Sequence, residues 1–188
     1  MSLEATARPE AASARWAALA CEHVRMLEEV FSDIVGSVVD ACCGVYGDRL
    51  DAVVVFGSVA RHRMRPDSDV DLLVVAEPLP FGRLARMAEF DGVERLAAPA
   101  FDGASRQGVT TRLSPIVRTI GELRRSGFLL FDIACDGEVH HDPGGTVAGY
   151  LAEVRSGLEA RGARRHSASG ARCWVLDPTV GPADVVTL

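Results

Sequence analysis

The stretch VVVFGSVARHRMRPDSDVDLLVV, residues 53–75, decides how this chain folds and where its chemistry lies. An apolar run ends at Gly57 and Ser58, an arginine-rich turn follows, and Asp69 and Asp71 open a second apolar run. Nearly continuous β-branched runs are typical of strands that are buried on both faces of a sheet. The pattern therefore predicts two buried strands, with polar groups where the first strand ends and the second begins.

The two predicted strands, over residues 51–56 and 69–75, are expected to lie antiparallel. A connection of about ten residues is short for the crossover that joins parallel strands. Antiparallel neighbours also bring the end of the first strand beside the start of the second, so that Gly57 and Ser58 meet the aspartates. Residues 10–44 are predicted to form a helix that covers one face of the sheet. We therefore predict an α+β fold in two layers, with helices packed on one face of a mixed β-sheet.

The rest of the chain adds helices and shorter strands to this centre. The patterns predict a helix over residues 81–98, a polar connection over 101–108, and a strand over 109–117 with Pro115 at an edge or bulge. They then predict a short helix over 119–126, followed by a tight turn at Asp136 and Gly137 before a short strand. A helix over 146–160, capped by Gly162, and a strand near 173–176 are predicted to follow. One domain is expected over residues 1–188, comprising a frayed tail at 1–9, a helical cover at 10–47, a core at 51–143, and a C-terminal helix and strand at 144–188.

The composition excludes several functional classes. The net charge is −6, so a surface that coats nucleic acid is not expected. All 20 basic residues are arginine, which excludes a lysine nucleophile, a Schiff base and a P-loop lysine. The longest apolar runs fall short of the roughly 20 residues that cross a bilayer. The N-terminus lacks a basic stretch followed by an apolar one, so neither a signal peptide nor a membrane partner is expected.

The cysteines indicate the compartment rather than a site. An odd number of cysteines without CxxC or Cys/His spacing favours reduced thiols, and a cytoplasmic location is therefore expected. Cys42 and Cys43 are predicted to be small apolar residues of a helix rather than zinc ligands. The cysteines are Cys21, Cys42, Cys43, Cys135 and Cys173.

The polar groups of the central stretch are suited to phosphate chemistry. Side chains alternate along a strand, so Asp69 and Asp71 point the same way, about 6–7 Å apart along the backbone. Two hard oxygen ligands on one face favour Mg²⁺ or Mn²⁺. Glycine lets the backbone approach a ligand closely, and the N–H groups after Gly57, with the Ser58 hydroxyl, are suited to an anion.

The stretch resembles the nucleotidyltransferase superfamily that includes DNA polymerase beta, the aminoglycoside nucleotidyltransferases and the minimal nucleotidyltransferases. Their signature is an apolar strand, GS, a short spacer, DxD and another apolar strand. The minimal branch has GSxARG…SDxDL, and the matching residues here are Gly57, Ser58, Ala60, Arg61, Ser68, Asp69, Asp71 and Leu72. Residues 128–176 are more loosely similar to bacterial and archaeal members. The resemblance implies a polymerase-beta-like nucleotidyltransferase domain.

The resemblance also implies a reaction. A metal-dependent nucleotidyltransferase moves an NMP group, here expected to be AMP from ATP, to a hydroxyl acceptor and releases pyrophosphate. The acceptor is a small molecule, a protein or an RNA end. By resemblance, Asp69 and Asp71 are the catalytic residues and ligands of Mg²⁺ (or Mn²⁺). Gly57, Ser58 and Arg61 are then the residues that bind the nucleoside triphosphate.

Two departures from the family pattern stand out. The usual glycine after Arg61 is His62, which is expected to alter the turn without touching a ligand. The family also places a third carboxylate on a later strand, where it helps to bind a second metal and acts as a base. The corresponding strand here reads VTTRLSPIV and has no acid, because Arg112 and Ser114 occupy the positions.

Substitutes for the third carboxylate are weak on sequence grounds. Asp132 and Glu122 are close in the chain, and Asp67 lies beside Pro66, where it reads as a turn or cap residue. The missing acid motivates an alternative function. In that reading the chain is a catalytically weak nucleotidyltransferase-like binding protein, such as the antitoxin of a two-gene toxin–antitoxin pair, whose partner protein is encoded next door.

Other charged residues have two readings each. Arg63 and Arg65 are either counterions of a triphosphate or solvated turn residues, and Arg61 is the preferred ligand of the three. A second group either touches a ligand or complements the dipole of a helix C-terminus; its members are Arg161, Arg164, Arg165 and His166. His140 and His141 look like metal ligands beside Asp142, but adjacent strand residues face opposite ways.

Overall fold

The computed structural model describes residues 9–168 and 171–176. The elements are α1 (Pro9–Tyr46), a 3-10 turn (Gly47–Arg49), β1 (Leu50–Phe56), α2 (Gly57–Ala60), β2 (Val70–Ala76), α3 (Arg83–Arg106), β3 (Leu113–Arg118), α4 (Ile120–Leu123), α5 (Phe128–Asp136), β4 (Glu138–His141), α6 (Thr146–Ala160), β5 (Arg164–Ala168) and β6 (Ala171–Val175). The predicted N-terminal tail lies outside the described residues except for Pro9, which opens α1.

The central sheet is mixed, as the sequence predicts. Its strand order is β3-β2-β1-β4. β1 lies antiparallel to β2, with Phe56 opposite Asp71, and it also lies antiparallel to β4. β2 and β3 are parallel. The α+β class and the antiparallel pairing of the two central strands are confirmed.

Helices pack on both faces of this sheet, so the predicted two-layer arrangement is wrong. Val53 and Val55 of β1 share a buried cluster with α1 and α3. The alternate residues Val54 and Phe56 point to the other face of the sheet, where they pack with α4, α5 and α6. The apolar runs of β1 and β2 are buried on both faces because each face has its own helical cover.

The N-terminal helix is longer and more apolar than its role as a cover requires. It runs through Gly36 without a break, and Phe31, Ile34 and Val38 are fully buried in the core. By length and composition alone, the segment Cys21–Arg49 is long and apolar enough to cross a membrane. Its apolar character is not evident from unbroken apolar runs, because charged and polar residues interrupt them. Buried core helices of soluble proteins can be equally long and apolar. The absence of a membrane partner stays a prediction.

α3 continues well past its predicted end at residue 98. It includes Pro99 and most of the predicted polar connection over 101–108. A proline inside a helix removes one backbone hydrogen bond. Ala97 and Ala104 lie on either side of it and are buried against α1 and the sheet. Tertiary burial therefore outweighs the local stop signals, and β3 begins later than predicted.

The edge position predicted for Pro115 is confirmed, since β3 is the outer strand of the sheet. The Val70 N–H donates to the Arg112 carbonyl at 2.9 Å, so the alternate residues Leu113, Pro115 and Val117 direct their backbone groups outward. Pro115 has no N–H to offer there. The outward carbonyl of Val117 accepts a hydrogen bond from Arg86 Nη1 at 3.2 Å. This edge is therefore closed to a further strand at two points.

The C-terminal part contains one predicted helix and one unpredicted strand. α6 has its predicted bounds, and Gly162 ends it with a positive φ of 67°. β5 pairs with β6 as an antiparallel hairpin, whereas the sequence predicted a single strand near residues 173–176. β5 reads RRHSA and lacks the apolar alternation by which a strand is recognised.

Candidate active site

Gly57 and Asp71 lie next to each other at the centre of the site. Phe56 pairs with Asp71 across β1 and β2, so the chain turns into α2 directly beside the aspartate. Gly57 has a φ of 78°, and a Cβ placed on it would overlap the Asp71 carboxylate. Both observations require glycine at this position. The predicted meeting of the Gly-Ser turn with the aspartates is confirmed for this pair.

α2 is a single short helical turn that carries Ser58 at its start. Ser58 is half-buried, while Val59 and Ala60 are buried in the core. The Ser58 carbonyl accepts a hydrogen bond from the Arg63 N–H at 2.9 Å, which closes the turn. The Ser58 hydroxyl is thus held beside the strand ends by the burial of the two residues that follow it.

His62 has a positive φ of 50°, the left-handed conformation that favours glycine. The usual glycine of the family pattern therefore has a conformational reason at this position. The imidazole is 64% exposed and lies between Glu28 and Glu138, at 3.7 and 3.4 Å. His62 therefore adopts the conformation that a glycine would take in this turn, and its exposed imidazole lies beside the two glutamates.

Asp69 lies one residue before β2 and faces an arginine. Its Oδ1 accepts a hydrogen bond from Arg112 Nε at 3.0 Å. The two side chains are 38% and 82% exposed, respectively. The neighbouring backbone is well fixed, because Thr111 Oγ1 donates to the Ser68 carbonyl at 2.6 Å. Arg112 is therefore anchored at its backbone and free at its guanidinium end to change partners.

Glu122 and Asp132, two of the sequence candidates for a third carboxylate, each have other partners. Ser114 stands opposite Asp71 in the β2–β3 register, as the sequence predicts. Glu122 follows the far end of β3. The strand runs four residues from Ser114, opposite Asp71, to Arg118, which is about 13 Å at 3.3 Å per residue. There Arg86 donates to both Glu122 oxygens, at 2.6 and 2.9 Å. Glu122 also completes a capping box with Thr119.

Asp132, the other candidate, is engaged elsewhere. Its Oδ1 accepts a hydrogen bond from Trp174 Nε1 at 3.1 Å and lies 3.1 Å from Arg165 Nη2. Arg165 lies on β5 and stacks over the Trp174 ring. The reading that placed this arginine at a helix C-terminus is therefore wrong.

Arg61 is held by a carboxylate rather than exposed to solvent. Its Nη1 lies 3.3 Å from Asp136 Oδ2, which also accepts from Arg165 Nη1 at 2.6 Å. Burial raises the pKa of Asp136, but the hydrogen bonds and charges of Arg165 and Arg61 outweigh it and lower that pKa. Asp136 thereby ties the turn after α2 to the β5–β6 hairpin. The role of Arg61 in nucleotide binding stays a prediction.

The histidines and cysteines do not assemble a second site. His140 lies 3.7 Å from Glu138, while His141 Nδ1 lies 3.8 Å from the Cys43 thiol. Cys42 is fully buried in α1, as predicted, and burial, followed by the charge of Cys43, raises its pKa to about 12. Across residues 9–168 and 171–176, no three histidine, cysteine or acidic side chains are grouped to hold a metal.

The aspartate pair fits one divalent cation better than two. Mg²⁺ is commonly bound by one or two carboxylates, with water and substrate phosphates completing its octahedron. Asp69 and Asp71 supply such a donor set, and the space that a Gly57 side chain would fill is where the Asp71 carboxylate lies. A second cation would need a further carboxylate, and β3 offers Arg112 and Ser114 instead.

Cavities lie at both ends of β3. One of about 290 Å³ lies beside Arg112, between α3 and the start of β3, and is lined by Glu94, Ala98, Phe101, Asp102, Thr111, Arg112 and Leu113. Another of about 440 Å³ lies at the far end of β3, next to Arg86 and Glu122. The smaller cavity adjoins the aspartate pair through Arg112.

Comparison with known proteins finds a similarity in the central part of the chain. Residues 37–102 match the nucleotidyltransferase domain family. The match includes the Gly-Ser turn and both aspartates, so the central stretch of this chain is similar to that family at the residues of its motif. A protein of Methanocaldococcus jannaschii, named as a candidate protein adenylyltransferase, is 39% identical over 61 residues. That alignment covers 32% of this chain and 42% of the relative, so the chain spans less than half the length of the relative.

Solved structures with a similar arrangement include a toxin–antitoxin with AMP-PNP, with a TM-score of 0.40 and 16% identity over 65% of this chain and 86% of the other. The toxin–antitoxin MntA–HepT gives a TM-score of 0.37 and 14% identity over 65% of this chain and 82% of the other. Likenesses at this level do not indicate a shared activity.

Proposed function

We propose that this protein is a metal-dependent nucleotidyltransferase that moves an NMP group, expected to be AMP from ATP, to a hydroxyl acceptor and releases pyrophosphate. The observation that carries the proposal is the contact of the Asp71 carboxylate with Gly57 at the β1–β2 junction. It brings a close-approach glycine and a metal-binding carboxylate together at the motif of the family.

Each residue of the motif has a role that its position supports. Asp69 and Asp71 would hold Mg²⁺ or Mn²⁺, which lowers the charge of a triphosphate and orients it. Gly57 lets the triphosphate approach the backbone, and the Ser58 hydroxyl donates to a phosphate oxygen. Arg61, already paired with Asp136, supplies a positive charge near the outer phosphates.

The acceptor is a hydroxyl of a small molecule, a protein or an RNA end. The name of the Methanocaldococcus jannaschii relative favours a protein hydroxyl. A cytoplasmic location and a single domain over residues 1–188 are also part of the proposal.

Nucleotide binding by aspartate variants tests the proposal. Labelled ATP with Mg²⁺ is expected to bind the unmodified protein. This binding is expected to be lost in Asp69→Asn and Asp71→Asn, because each substitution replaces a charged metal ligand by a neutral amide. Asp51→Asn is the matched control, since Asp51 is exposed at the opposite end of β1. Unchanged binding in both motif variants contradicts the proposal.

A second candidate is the catalytically weak binding protein, as in the antitoxin of a two-gene pair. The lack of an acid on β3 beside Asp71 favours it. In that case a small helical toxin is encoded next door and forms a stable complex with this chain. A chain that transfers AMP at enzymatic rates, with no such neighbour, contradicts this alternative.

A further inference from the structure

Arg112 stands where a second metal site would need an acid. The Leu113–Val70 pair places the residue before β3 beside the residue before β2. Arg112 Nε accordingly reaches Asp69 Oδ1 at 3.0 Å. A guanidinium keeps its charge at every accessible pH, so this position remains positive whenever the site is used.

A permanent positive charge at this point opposes a second divalent cation. Like charges a few ångströms apart repel, and water weakens this repulsion at a side chain as exposed as that of Arg112 without removing it. Ser114, the β3 residue opposite Asp71, offers a neutral hydroxyl and no carboxylate. The β3 side of the aspartate pair is therefore built for an anion rather than for a metal ion.

We propose that the site binds a single divalent cation with its nucleotide, and that Arg112 supplies the second positive charge, on the β3 side, to a phosphate oxygen of that nucleotide. This inference rests on the proposed function and specifies how its site is charged. Arg112 is thus a positioning and binding residue that sequence comparison with two-metal enzymes does not reveal.

The exposure of Arg112 makes this exchange of partners easy. Its side chain is 82% exposed, and exposed ion pairs contribute little to stability. A cation that binds Asp69 displaces the guanidinium at little cost, because the Arg112 backbone stays fixed by its bond to Val70. The displaced guanidinium remains between the aspartates and the 290 Å³ cavity that it lines.

The number of bound Mn²⁺ ions is the first test. With saturating non-hydrolysable ATP analogue, electron paramagnetic resonance of a Mn²⁺ titration is expected to show one ion per unmodified chain. The double variant Arg112→Ala, Ser114→Asp is expected to bind two, because it removes the charge and adds a carboxylate opposite Asp71. Arg118→Ala is the matched control at the far end of the same strand and keeps one ion.

Arg112→Ala alone tests the role of the charge. Without nucleotide, its Mn²⁺ affinity should rise about two- to fivefold, because Asp69 loses a competing cation. With Mn²⁺ present, its affinity for the ATP analogue should fall about tenfold, and Arg112→Lys should keep most of that affinity. Opposite shifts of the two affinities exclude simple misfolding, which weakens both.

The outcomes separate this inference from the proposed function. Two Mn²⁺ ions on the unmodified chain, one ion on the double variant, or unchanged affinities in Arg112→Ala overturn the inference and leave the nucleotidyltransferase proposal standing. Absence of any Mn²⁺-dependent nucleotide binding by the unmodified chain overturns both.

Discussion

The Asp71 carboxylate lies directly against the backbone of Gly57, in the space that a side chain at that residue would occupy. The positive φ of 78° at Gly57 adds an independent restriction. One position thus joins the turn geometry of the site to the placement of the carboxylate for which we propose metal binding.

Gly57→Ala is expected to lower the free energy of unfolding by about 1–3 kcal/mol, because the new Cβ meets Asp71 in a strained backbone conformation. It should also abolish Mg²⁺-dependent nucleotide binding, since Asp71 must move. Denaturant unfolding and ATP titration measure the two effects. Gly36→Ala is the control. Gly36 lies within α1, and a methyl group there would meet no neighbouring atom within 4 Å, so this substitution should raise the free energy of unfolding by about 0.5–1 kcal/mol. Equal effects of the two substitutions would refute the role of the contact.

Glu122 is expected to make stability depend on acid pH. Hydrogen bonds from Arg86, opposed by desolvation and helped by the Thr119 N–H, lower its pKa from 4.5 to about 2. A lowered folded-state pKa contributes stability above pH 4.5 that is lost as the pH falls towards 2. Since Glu122 is 33% exposed, we expect a loss of only about 1–2 kcal/mol. Unfolding at pH 7 and pH 3 should show a smaller pH dependence in Glu122→Gln than in the unmodified protein, and parallel pH profiles would contradict this.

Asp136→Asn is expected to lower the free energy of unfolding by about 1–3 kcal/mol, because Arg61 and Arg165 lose their shared half-buried counterion. It should also weaken nucleotide binding if Arg61 binds phosphate. Asp132→Asn is the comparison, because Asp132 contacts Arg165 and Trp174 but makes no recorded ion pair with Arg61 among the described residues. Calorimetry should show destabilisation in both, with nucleotide affinity reduced in Asp136→Asn alone. Equal nucleotide affinity in the two variants would remove Arg61 from the site.

His62→Gly is expected to stabilise the fold by up to about 1 kcal/mol, because relief of the left-handed strain exceeds the added entropy of the unfolded chain. The exposed contacts to Glu28 and Glu138 contribute little. Arg63→Gly, at the next residue, lacks a positive φ and should destabilise by about 0.5–1 kcal/mol. Thermal unfolding distinguishes the two, and destabilisation by both would show that the conformation of His62 is not strained.

The local chemistry of the site could be predicted because it lies within one short stretch. The length of the connection already favoured antiparallel strands, and the observed pairing of Phe56 with Asp71 places Gly57 beside that aspartate. The absence of an acid opposite Asp71 on β3 could also be predicted, since Ser114 occupies that position. The sequence shows Arg112 at a position where the family pattern has an acid. Its contact with Asp69 could not be predicted, because it depends on the register of β3 against β2.

Features that depend on distant contacts could not be predicted. Pro99 and Gly103 suggest the end of a helix, yet burial of the residues around them extends α3 to Arg106. β5 has no apolar pattern and is held by its partner strand and by the bonds of Arg165 to Asp136. The second helical layer follows from the alternate residues of β1, and a helix pattern alone does not say which face it covers.

The closed edge at β3 limits how copies of this chain can join. Growth of a continuous sheet through many molecules requires every molecule to offer two open edges. Pro115 and the capped Val117 carbonyl obstruct one edge of the four-stranded sheet, which leaves the short strand β4 at the other. A continuous sheet through many molecules therefore cannot pass across the β3 edge, so this sheet is not suited to growth into a fibre.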